Sequence, residues 1–221
     1  DMMDFNVIDH NVWSKMALGW QKPYIVTGDA EITISPSQTN GDSILIADSW
    51  NGTSYDEFMM VELYTPTGLN TLDSTTRYCG VYPLGYTIPG IRLMHVDSRL
   101  AKIEWRGTGW YYTGYYEPTT QQISGYDYYY AVAHSNTPSR SYDGEYRLIH
   151  MIQATNVNTF KNGGIGTNAD LFTAGQTFSM ATYGPNFFKN GTLLNNNNAL
   201  GYTIEIVSVS STSATIRVHK L

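Results

Sequence analysis

The side chains able to do chemistry in this sequence are few and scattered. Its five histidines, His10, His95, His134, His150 and His219, stand far apart along the chain. None belongs to an H-E-x-x-H arrangement, in which two imidazoles one helical turn apart hold zinc and the glutamate between them activates water. His95 and His150 fall inside apolar runs, where a hydrogen-bonded core histidine is commoner than a metal ligand. The single cysteine, Cys79, lies in a Tyr- and Gly-rich stretch without a local signature of an activated thiol. No G-x-S-x-G elbow and no phosphate-binding loop occurs, so acyl transfer and nucleotide hydrolysis lack a starting point. The sequence therefore assigns no catalytic residue and no metal ligand.

Three other features invite a chemical reading. Asn162 to Asp170 (NGGIGTNAD) offers oxygen ligands around glycines, and Asp42 and Asp48 lie near turns. These oxygens suit Ca²⁺, but the spacing is not that of an EF-hand, and a plain surface turn is the commoner form. Glu62 interrupts the apolar run Phe58 to Leu63 (FMMVEL) and needs a cation, because removing the partner of a buried charge costs about 3–5 kcal/mol. Arg92, in the equally apolar run Ile91 to Val96, is the natural counter-ion. The segment Trp110 to Tyr130 is dense in tyrosine (WYYTGYY, GYDYYY). Trp110, Tyr112, Tyr115 and Tyr128 are its candidates for a surface that stacks on sugars or peptides; the alternative is rings packed into a core with only their hydroxyls at the rim.

The elements that must position these residues are mostly short strands. A helix is predicted around Val12, Trp13, Met16 and Ala17, capped by Asp9 and closed by Gly19. Strands are predicted at Tyr24–Thr27, Ala30–Ser35, Ser43–Ala47, Glu57–Tyr64, Gly90–Val96, Ala101–Arg106, Tyr146–Gln153 and Thr177–Tyr183, separated by Gly, Pro, Asn and Asp clusters. The Phe58–Leu63 run is apolar at almost every position, which suits a strand covered on both faces. Alternation at Tyr202, Ile204 and Ile206, a turn at Ser210–Ser213 and alternation at Ile216 and Val218 predict a closing antiparallel hairpin.

Composition bounds the partners. The chain is 42% hydrophobic, 14% aromatic and 14% charged, with 18 tyrosines, which fits a folded β-rich protein. A net charge of −6 opposes nucleic-acid binding, which needs clustered Lys and Arg. No apolar run reaches the roughly 18 residues that cross a bilayer. One cysteine excludes an intrachain disulfide framework. The opening Asp1-Met2-Met3-Asp4 reads as an internal start, the product of trimming a longer polypeptide.

Certain segments are more specific than their physics. Asp9 to Trp20 (DHNVWSKMALGW), preceded by DMMD, resembles the stretch just beyond the zinc site of secreted metallopeptidases similar to immune inhibitor A. Glu57–Leu69 (EFMMVELYTPTGL) and Gly90–Leu100 (GIRLMHVDSRL) resemble segments that follow in such proteins. Ala133–Asn136, Tyr146–Gln153 and Leu171–Ser179 extend the likeness in patches. The resemblance implies a zinc peptidase of the H-E-x-x-H-x-x-G-x-x-D type. That motif is absent here, so no ligand or general base is carried over, and zinc is expected only in a part of the polypeptide outside this sequence. The resemblance would place Met2 or Met3 at the Met-turn beneath the metal.

These readings together predict an all-β, mainly antiparallel fold with one short N-terminal helix: a β-sandwich, with a jelly roll as one form of it. Residues 1–22 are expected to be the tail of a catalytic lobe, and 23–221 a β domain with a Tyr-rich insertion around 107–143. The function expected is a non-catalytic C-terminal portion of a secreted or surface-attached bacterial zinc metallopeptidase. Its partners would be the catalytic lobe and a protein or glycan substrate. The alternative is an adhesin-like module that binds glycans or peptides through the Tyr-rich segment.

Overall fold

A computed structural model describes residues 9–81, 83–116, 128–135 and 137–221; Met2 and Met3 lie outside this set. Along the chain run α1 (Val12–Ala17), β1 (Tyr24–Val26), β2 (Ala30–Ile34), α2 (Ser37–Asn40), β3 (Ile44–Ile46), β4 (Glu57–Tyr64), α3 (Thr71–Thr75), β5 (Gly90–Asp97), β6 (Leu100–Trp105), β7 (Trp110–Tyr116), β8 (Tyr128–Ala131), β9 (Ile149–Ile152), β10 (Thr177–Phe178), α4 (Met180–Phe187), β11 (Tyr202–Val209) and β12 (Ala214–Lys220). The fold is mainly β, with antiparallel sheets and small helices. No helix among the described residues is long and apolar enough to cross a membrane.

The largest sheet has the order β1-β3-β4-β5-β9, antiparallel except where β1 runs parallel to β3. Its central strand β4 is buried at all eight positions, because both faces are covered. Met59, Val61 and Leu63 point into one apolar cluster, and Phe58 and Met60 into another. The first cluster also holds Tyr202, Ile204, Ile206, Ile216 and Val218, the inward row of β11 and β12. Those strands form the middle of a four-stranded sheet, β10-β11-β12-β2. The second cluster is closed by α1, whose Val12 is fully buried against Leu45, Phe58 and Val96.

Local chemistry corrects two predicted elements. Asn11, not Asp9, caps α1: its side-chain oxygen accepts from Ser14 N at 2.9 Å, since the residue adjoining the helix reaches the free amides and one two positions earlier does not. Asp9 instead lies buried and ion-paired with Lys15, which also donates to the Ser37 carbonyl at 2.8 Å. Gly19, at φ +73°, closes the helix by donating to Met16 O. The run Thr177–Tyr183 is a strand only as far as Phe178. Ser179 then accepts from Thr182 N at 3.2 Å and starts α4, so a capping side chain overrides the apolar alternation.

The Tyr-rich region pairs as a third sheet, β7-β6-β8, with a bulge at Lys102/Ile103. It packs through Ala101, Val132, Ala133 and Tyr146.

Glu62 and Arg92 face each other across β4 and β5, with Arg92 Nη2 2.6 Å from Glu62 Oε1. The approach is close but off the hydrogen-bond direction, so neither Glu62 oxygen has an aligned donor and Arg92 Nε has no acceptor. Charge attraction alone offsets their burial, aided by the Tyr64 ring 5.2 Å from the guanidinium. Glu62→Ala is expected to destabilise the fold by about 3 kcal/mol or more in urea unfolding, because it strands Arg92. The paired change Glu62→Met with Arg92→Met should restore most of that loss; a double variant as weak as the single would refute an uncompensated charge as the cause.

Candidate functional site

Alternation along β4 and β5 places Glu57, His95 and Asp97 on the same face as Met59 and Leu93, and the cross-strand register sets Glu57 opposite Asp97 and His95 opposite His150 of β9. At this end of the sheet the apolar side chains give way to a buried polar network. Glu57 Oε1 receives the backbone N–H of Asn195 at 2.6 Å and lies 2.8 Å from His95 Nε2. Glu57 Oε2 receives the N–H of Asn196 at 2.8 Å and lies 3.6 Å from Arg99 Nε. Arg99 grips Asp97 with two bonds, at 2.7 and 2.9 Å, and the Asn195 side chain donates to Asp97 at 2.9 Å. Two carboxylates and one guanidinium are thus satisfied by donors fixed in the backbone and in neighbouring strands. Burial works against the charge of Arg99, but its bonds to Asp97 and the charges of Asp97 and Glu57 together outweigh it and raise the guanidinium above its already high range, so it stays cationic.

The network extends to the surface in two directions. On one side His95 Nδ1 lies 3.1 Å from His150 Nε2. In the tautomer in which His95 donates Nε2–H to the carboxylate, its Nδ1 accepts the Nε2–H of His150, and His150 Nδ1 is left as a lone-pair acceptor. His150 floors a cleft of about 310 Å³ whose lining includes Arg147, Lys161, Phe160, Phe187 and Phe188. The residue is partly buried and lines the cleft. Burial, then the neighbouring His95, then Arg147 hold its pKa well below the ordinary imidazole value.

On the other side lies a groove of about 470 Å³ between Ser49–Asn51, Arg99, Tyr115 and Asn195–Asn198. Consecutive carboxylates tie down both of its loops. Asp56 accepts from Asn51 N at 2.8 Å, and Glu57 holds Asn195 and Asn196. Asn197 adopts the left-handed conformation (φ +67°) that asparagine tolerates, which turns the loop tightly enough to present successive amides. Tyr115 stands half exposed, 4.9 Å over the Arg99 guanidinium and tilted against Tyr142 at 5.0 Å. Burial pushes its phenol up to about 12, so it is neutral under ordinary conditions.

The sequence-predicted aromatic surface divides accordingly. Tyr115 lines the groove. Tyr112 is a packing residue whose hydroxyl lies within reach of Ala131 O (3.1 Å) and Arg140 O (2.8 Å). Trp110 is half exposed beside Trp105, on a different part of the third sheet's hairpin, and the side chain of Tyr128 is outside the described groups. In the Asn162–Asp170 loop, Asp170 turns inward, taking Thr167 N at 2.7 Å and Gln153 Nε2 at 2.8 Å. Asp42 accepts from Ser35 N. Among the described residues, no three His, Cys, Asp or Glu side chains gather as a metal-binding group.

Glu57, Asp97, Arg99 and Asn195 had no motif to announce them. The available signal was period-two spacing, which puts Glu57 on the core face with Met59 and Val61, and Asp97 with His95 and Leu93. Comparison with protein-family models, curated proteins and solved structures returned no match.

A neutral buried imidazole sets the acid response. Well above pH 6.5 His150 is neutral whether folded or unfolded and adds no pH dependence. Below it the unfolded chain binds a proton that the folded ring refuses, so stability falls as pH drops, by at most about 1.4 kcal/mol per pH unit for one proton. His150→Gln should flatten this limb between pH 6.5 and the onset of carboxylate titration in urea unfolding. Identical slopes for the two proteins would show that the ring is not held neutral.

Proposed function

We propose that this chain is the non-catalytic, β-rich C-terminal portion of a secreted or cell-surface bacterial zinc metallopeptidase, bracing the catalytic lobe and helping to hold its substrate. In this reading the zinc, its ligands and the water-activating glutamate all belong to the lobe outside this sequence. Two larger sheets sharing one apolar core suit a β-sandwich, and the third sheet is an insertion at its end.

The resemblance of the first hundred residues motivates the proposal, and one structural observation supports it most. Within eight residues after α1, Leu18, Trp20, Tyr24 and Ile25 are each 44–64% exposed, while Val12 and Val26 on either side are buried. So many large apolar side chains in so short a stretch, at the end of the chain where the lobe would join, suit an interface with another folded part. Trp20→Asp and Ile25→Asp are therefore expected to leave the melting temperature of this chain unchanged and to lower that of the full polypeptide by several degrees. Equal effects in both would remove the docking role. Incubated with zinc and casein, the chain alone should release no peptides, and chelator-sensitive turnover would overturn the non-catalytic assignment.

A second reading is favoured by the groove. Trp50 and Tyr115 supply aromatic faces for C–H groups of a sugar or the planes of a peptide, while Arg99 and the Asn196–Asn198 amides supply donors and acceptors on a rigid frame. On this reading the chain is a glycan- or peptide-binding module. Glycan- and peptide-array binding that disappears in Tyr115→Ala would support it; Tyr112→Ala, which removes a packing residue, is the control for general loosening. Binding unaffected by Tyr115→Ala would place the ligand elsewhere.

A further inference from the structure

We propose that the cleft floored by His150 binds a small carboxylate with an apolar body and an N–H beside the acid, the chemistry of the last residue of a peptide with an apolar side chain. This assignment does not rest on a peptidase origin or on the groove beyond Glu57.

The first support is a cation without a bonded partner. The cleft lining carries Arg147, Lys161 and Lys189 against one carboxylate, Glu145, in a chain of net charge −6. Lys161 is neutralised by Glu145 at 2.7 Å, and Lys189 by Asp143 just outside the lining. Both carboxyls are held below their usual range chiefly by these lysines, and the Arg147 charge adds to the effect on Glu145. Arg147 nonetheless has no bonded partner of its own. It is partly buried, its Nη1 is shut off from solvent with no acceptor, and it makes no hydrogen bond or ion pair with the described residues. A guanidinium in that position is costly unless an anion answers it, and its planar fork fits a carboxylate with two parallel bonds.

The second support is His150. In the tautomer in which His95 donates Nε2–H to Glu57 and accepts at Nδ1, His150 carries its proton on Nε2, and its Nδ1 is an acceptor with no partner among the described residues. A carboxylate on Arg147 satisfies the cation but not this lone pair; an adjacent amide N–H satisfies the lone pair. The third support is the wall. Phe160, Phe187, Phe188, Ile149 and Met151 give an apolar lining beside the two polar groups. The volume, about 310 Å³, lies at the lower limit of small-ligand pockets and suits one residue better than a folded partner.

The test uses N-acetyl-L-phenylalanine and its primary amide, N-acetyl-L-phenylalaninamide, titrated into the whole chain by calorimetry and by the ring-nitrogen NMR signals of His150. The acid is expected to saturate with Kd below about 10 mM, and the amide to bind at least about tenfold more weakly. Arg147→Gln should erase that preference, and His150→Phe should weaken acid and amide alike. Should Arg147→Gln fail to fold, salt dependence of the wild type decides the matter: added NaCl should weaken the acid and not the amide. No saturation by the acid, equal binding of the two probes, or binding of the acid that leaves the His150 signals unmoved would each overturn the assignment.

Discussion

A single buried carboxylate organises this molecule's polar end. Glu57 is shut off from water, and an ionised group there is tolerable only if its lone pairs are filled. They are filled by two successive backbone amides from a loop almost 140 residues away, by an imidazole on the adjacent strand and, at longer range, by a guanidinium. By holding two successive amides, the carboxylate fixes where the segment before β11 crosses the central sheet. Packing of the two larger sheets then follows from apolar burial, which needs no such direction.

The same carboxylate separates two surfaces of different character. Towards Arg99 and Tyr115 the network ends in amides and exposed rings over an open groove. Towards His150 it ends in a neutral imidazole among phenylalanines. The strands supply rigidity to both, since Glu57, His95 and His150 sit on three neighbouring members of one sheet, and displacement of any one would break bonds to the others.

Much of the fold was legible from spacing. The doubly covered β4, its partner β5, the closing hairpin of β11 and β12 and the first helix all follow from hydrophobic periodicity, because burial on one or both faces leaves a direct imprint on residue order. Elements decided by a single polar side chain were not. Ser179 converts an alternating run into a helix, and Asn11 takes the capping role from Asp9. Of the singled-out aromatic residues whose side chains are described, only Tyr115 lines the groove, since composition cannot distinguish a ring that seals a sheet from one that faces a ligand. The polar network was hidden for a different reason. Its members come from β4, β5, the turn at Arg99, β9 and the Asn195–Asn198 loop, and nothing local signals that they meet, although the period of two places Glu57, His95 and Asp97 on an inward face.

Anchoring both groove loops on adjacent residues, Asp56 and Glu57, separates fold from recognition. The groove's position is set from below by carboxylates that contact mainly backbone amides, and a backbone amide is common to every residue except proline. The exposed side chains of Ser49 and Asn198 can therefore be exchanged for others without disturbing the anchors. A scaffold of this kind can be turned towards new ligands by rewriting a few loop positions, while its hydrophobic layers remain as they are.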